Sequence, residues 1–98
     1  MTAIIKNPGQ PAFIRQIDNE LSALQDLVGG YIQTVYLPHG VIMIVNEEGK
    51  LMNLKPNFRF GNDLIVGTAV FVSADGEEFA GLSERQENYI WRMMSCVL

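Results

Sequence analysis

The sequence predicts an α+β fold, a single sheet of four to six mostly antiparallel strands with two helices packed against it, and three observations carry that expectation. Two β-rich apolar runs, Val41 to Val45 and Leu64 to Val72, read as strong strands. Two amphipathic patterns, Leu21-Leu24-Leu27-Val28 and Ile90-Met93-Met94-Val97, repeat at helical spacing. Short connections rich in Pro, Gly and Asn separate these segments, as hairpins require.

Taken in order, Ala3-Ile4-Ile5 is a short β-prone run stopped by Asn7-Pro8-Gly9, and Phe13 to Ile17 extends again. These two pieces are either a first hairpin or one edge strand beside an extended loop. Asp18 or Asn19 is placed to cap a helix from Glu20 to Val28, whose first turn carries the negative charge of Glu20. Gly29 stops that helix in the left-handed conformation, and Gly30 loosens the chain before the next strand.

Tyr31 to Leu37 is β-branched and aromatic, and Pro38-His39-Gly40 turns it into Val41 to Val45. A run apolar without alternation is either a central strand covered on both sides, or one covered by helices on one face and by a partner on the other. Asn46-Glu47-Glu48-Gly49 has turn composition, and Lys50 to Leu54 reads as a short returning strand. Lys55 to Asp63 is the least regular segment and the expected functional loop. Within the second strong strand, Gly67 signals a bulge or a close backbone approach. Ser83 and Gln86 form a capping box for a helix from about Glu84 to about Ser95.

Composition bounds the function. The 98 residues suit one domain spanning residues 1–98, and 48% hydrophobic with 18% charged residues is the balance of an ordered globular chain. A formal net charge of −4 argues against nucleic acid as a partner, since phosphate-backbone binding needs clustered Lys and Arg. Cys96 is the only cysteine, so a reducing compartment is expected. No apolar run approaches the ~20 residues that span a bilayer, and the chain reads as cytoplasmic, with no membrane partner.

Chemistry-bearing constellations are sparse. One histidine, His39, and one cysteine give no His/Cys metal set and no nucleophile–base pair, so no metal, no cofactor and no catalytic residue is assigned. Gly29-Gly30 follows a helix and precedes a strand, the reverse of a dinucleotide-binding turn. The polar candidates are Asn46, Glu47, Glu48, Asn57 and Arg59, around a turn where side chains gather that solvation alone does not require. Trp91, Met94 and Leu98, on an apolar C-terminal stripe, are the candidate surface for a protein partner or for self-association.

Five blocks in order carry a family resemblance: Ile5-Lys6-Asn7-Pro8-Gly9; Leu24 to Ile32; Ile44 to Leu51; Pro56-Asn57; and Ile65-Val66-Gly67-Thr68 with Asp75-Gly76. Together they resemble Domain of Unknown Function 3846. That resemblance implies a small, often stand-alone protein of bacteria, their phages and mobile elements, and it implies no established reaction. The expected function is a non-enzymatic protein-interaction module. The alternative is a small-molecule or nucleotide-binding protein, less favoured still a hydrolase, built on the turn around Asn46 and Asn57.

Overall fold

In a computed structural model that describes residues 1–97, the chain folds as an α+β structure. β1 (Thr2–Lys6) and β2 (Phe13–Gln16) pair as an antiparallel hairpin, so the Pro-rich connection turns the chain. Helix α1 (Leu21–Val28) leads into β3 (Ile32–Tyr36), a 3-10 turn at Pro38–Gly40, and β4 (Ile42–Asn46). Then follow β5 (Pro56–Phe60), β6 (Asp63–Val66), β7 (Ala69–Asp75), β8 (Glu78–Ala80) and α2 (Glu84–Val97).

The main sheet runs β2-β1-β7-β4-β3, with β8 on the far half of β7, and every pairing is antiparallel. Side chains alternate across a strand, so the central strands β1, β7 and β4 each feed two cores. On one face Ile42, Ile44, Val70 and Val72 pack with Leu24 and Val28 of α1. On the other, Met43, Val45 and Phe71 pack with Ile90 and Met94 of α2 and with Phe58 and Ile65 of the β5–β6 hairpin. This explains why β4 is apolar from Ile42 to Val45: of the two arrangements its composition allows, the chain itself covers both faces.

The helices are fixed by these faces more than by their own propensity. α1 has only eight residues, too few to hold in water alone, and its hold is the burial of Leu24 and Val28. Its start differs from expectation. Neither Asp18 nor Asn19 caps it; the N-cap is Glu20, with no side-chain cap bond, and Asn19 Nδ2 donates instead to the carbonyl of Phe79 at 2.8 Å. Its end is as the sequence predicts, with Gly29 at φ 80°. In α2 the capping box forms in both directions: Gln86 N–H donates to Ser83 Oγ at 3.2 Å, and Ser83 N–H to Gln86 Oε1 at 2.9 Å.

Three expectations need correction. Lys55 to Asp63 is no irregular loop: it supplies most of the β5–β6 hairpin, in which Phe58 is buried and stacks on Phe71 with centroids 6.5 Å apart. Lys50 to Leu54 forms no regular strand but mostly successive turns, with Asn53 at φ 56°. The run Leu64 to Val72 splits into β6 and β7 at Gly67, whose φ of 72° no strand residue adopts. Gly67 is also a close approach, because a Cβ there would lie 2.7 Å from Leu54 Cδ1.

Candidate functional site

Asn46 ends β4 and is buried although polar, so its amide must be satisfied internally. It is: Nδ2 donates to the carbonyl of Val28 at 3.1 Å, and Oδ1 accepts the N–H of Glu48 at 2.8 Å. The first bond ties the last turn of α1 to the sheet, and the second shapes the turn after β4. Gly30 lies so close that a Cβ there would stand 2.9 Å from Asn46 Nδ2. The second glycine of the pair is therefore set by proximity to Asn46.

The same bonds place Asn46 between two hollows. One, about 210 Å³, lies between the end of β4 and the β5–β6 hairpin, is lined by Glu47 and Leu51 among others, and contains the Lys50–Asp63 ion pair. That pair's hydrogen bond from Lys50 holds the exposed Asp63 carboxyl below its usual range. The other, about 440 Å³, is a cleft between the end of α1 and the turn after β4. Asp26, Gly29 and Gly30 form one wall, Glu48 and Met52 the other, with Asn46 and Tyr31 also lining it. Tyr31 is 65% exposed and Met52 52% exposed, large apolar groups left to water at the rim of a concave surface.

Asn57 belongs to a different place. Its Nδ2 donates to the carbonyls of Lys6 and Gly67, both at 2.8 Å, while Lys6 Nζ donates to its Oδ1 at 2.9 Å and to the carbonyl of Asn7 at 2.8 Å. Thr68 Oγ1 donates to Asn7 Oδ1 at 2.7 Å beside it. Lys6 is 2% exposed, and burial pushes its ammonium below the ordinary lysine range. This knot fastens β1, the hairpin and the start of β7 to one another.

The polar residues expected to converge thus fall into separate groups. Asn46, Glu47 and Glu48 sit around the two hollows, while neither of those hollows is lined by Asn57 or Arg59. Arg59 lies exposed on β5 opposite Leu64. Of the expected partner surface, Met94 is corrected to a core residue at 3% exposure, Trp91 is half-buried against the same core, and Leu98 lies outside the described residues. The helical period explains Met94, which lies four residues after Ile90 on the same buried face of α2. The rim residues Tyr31 and Met52 were not singled out by sequence reasoning, although two large apolar groups next to turn signals were there to be read.

Among the described residues no cluster of three His, Cys, Asp or Glu has metal-binding geometry, and no helix is long and apolar enough to cross a membrane. Fold and cleft define a small antiparallel α+β domain with an acidic, apolar-rimmed hollow beside its first helix. The family model for Domain of Unknown Function 3846 matches residues 1–95, and the chain belongs to that family. No curated protein and no solved structure matches it.

Proposed function

We propose that the protein is a non-enzymatic interaction module whose cleft between α1 and the β4 turn receives a basic segment of another protein. The observation that carries this reading is the pairing of exposed Tyr31 and Met52 with the carboxylates of Asp26 and Glu48 around one hollow. Tyr and Met are side chains that interfaces favour, and Met adapts its shape to what it meets. The carboxylates, with the negative end of the α1 dipole, prefer a cationic group, and no cation is found among the lining residues. Asn46 and Asn57 direct their amides to backbone carbonyls, a structural use that supports a role other than catalysis.

The expected result is capture of one partner by the wild-type protein and by an Ile14→Ser control, with loss of that partner in a Tyr31→Ala, Met52→Ala double variant. No partner, together with a monomeric mass in solution, would count against the module; a dimer that the double variant dissolves would reassign the cleft to self-association. A small cationic ligand is the second reading, which the size of the hollow supports. A place in the cytoplasm of a bacterium, or in a phage or mobile element, is part of the same proposal. It rests on the single cysteine and on the kind of organism and element in which the resemblance places such chains.

A further inference from the structure

Away from that cleft, on the opposite side of the sheet from α1, helix α2 presents Arg85, Asn88 and Arg92 to solvent with Tyr89 half-buried beside them. Residues three, four and seven apart share one helix face, so the two guanidinium groups flank Tyr89 on the same side. The 3-10 turn brings His39 to that face. Its ring meets the Tyr89 ring edge-on, with centroids 4.9 Å apart, and Gln86 Nε2 donates to its carbonyl at 3.0 Å. His39, Arg85, Asn88, Tyr89 and Arg92 together line a hollow of about 290 Å³ that contains no carboxylate.

We propose that this hollow binds the phosphate group of a small ligand. In a chain of net charge −4, two of the seven Lys and Arg residues line this one hollow from one face of α2, and among the described residues neither lies within salt-bridge distance of a carboxylate. An anion seated in the hollow is attracted by both guanidinium groups at once. Every lining side chain carries an N–H or O–H donor, and the planar guanidinium fork matches phosphate oxygens in pairs. A tetrahedral oxyanion accepts from several directions at once, which suits donors arriving from a helix and from a separate turn. His39 itself is held at φ 64°, a conformation that strains a non-glycine residue, and such strain collects where a side chain has a task. A glycine there would remove the strain and also the donor.

The test is a titration of the 15N-labelled protein at constant ionic strength, with inorganic phosphate in one arm and adenosine monophosphate as a phosphate monoester in the other, read by NMR. Saturable shifts at His39, Arg85, Asn88, Tyr89 and Arg92 in either arm support the site, and tighter binding in the second arm assigns it to an ester rather than the free anion. An Arg85→Gln, Arg92→Gln variant, both positions being exposed, should keep the wild-type spectrum elsewhere and lose affinity about tenfold or more. The absence of saturable shifts in the wild-type protein, shifts spread equally over Lys50, Lys55 and Arg59, or undiminished binding by the double variant would overturn the proposal.

Discussion

Lys6 and Asn57 bond to each other in both directions: the lysine ammonium donates to the asparagine Oδ1 at 2.9 Å, and the asparagine Nδ2 donates to the lysine carbonyl at 2.8 Å. The first strand and the outlying hairpin are thereby locked through one side-chain amide, which also reaches Gly67. Asn57→Ala leaves two carbonyls and an ammonium short of partners in a poorly hydrated place. Loss of about 3 kcal/mol is expected, read as a lower urea midpoint with unchanged slope. A change within 0.5 kcal/mol, about the ordinary surface effect, would show that water replaces the amide.

The buried lysine gives a pH signature of definite sign. Its folded pKa lies below the unfolded one, so between the two the unfolded chain holds more protons and stability rises with pH. Below both pKa values both states are protonated and the burial penalty is fully present; above the ordinary lysine range it has gone. The stability difference between the wild type and Lys6→Met should therefore grow in favour of the wild type as pH rises towards 10.5. Denaturant unfolding at several alkaline pH values checks this, and parallel curves for the two proteins would refute it.

Met94→Ala separates a core role from a surface role. As a core residue packed with Ile90 and Phe58, it should cost about 3 kcal/mol on truncation. The mass in solution, measured by light scattering, should be unchanged. Near-neutral stability with an altered mass would return Met94 to an interface.

At Gly67 two effects add. Ala there faces both a positive φ and Leu54 at 2.7 Å, and a loss of at least about 1–2 kcal/mol is expected from the backbone alone. In a Leu54→Ala background the contact is gone while the backbone penalty stays. Thermal unfolding of the four proteins in that cycle should show partial, not full, relief; complete relief would place the whole effect in the contact.

What the sequence disclosed follows the range of the interactions concerned. The capping box of Ser83 and Gln86, the stop at Gly29 and the strand Ile42–Asn46 are local patterns, and each is present. The β5–β6 hairpin was obscured because Pro56, Asn57, Gly61 and Asn62 resemble loop residues, although Phe58 and Phe60 at a spacing of two already had a strand's period. Asn57 reads as a companion of Asn46 in the sequence but bonds elsewhere in the fold. Its partners Lys6 and Gly67 come from other strand ends, and nothing in the five residues around it announces them. The cleft is half legible: Asn46 and Glu48 read as polar turn residues, but Tyr31 and Met52 become a rim only once α1 and the turn meet.

The position of β7 carries a consequence for how the molecule is assembled. It lies between β1 and β4, so two hairpins made from the first half of the chain are joined by a strand from near its end. During synthesis those hairpins emerge with a vacant slot between them, and the face of the sheet that α2 covers in the finished fold still lacks its helix. Closure must wait for Ala69–Asp75, and pairings so distant along the chain are slow because the intervening loop is ordered before any bond rewards it. A nascent chain halted before that strand exposes unpaired strand edges and uncovered apolar surface, the features that make partly folded chains prone to aggregate.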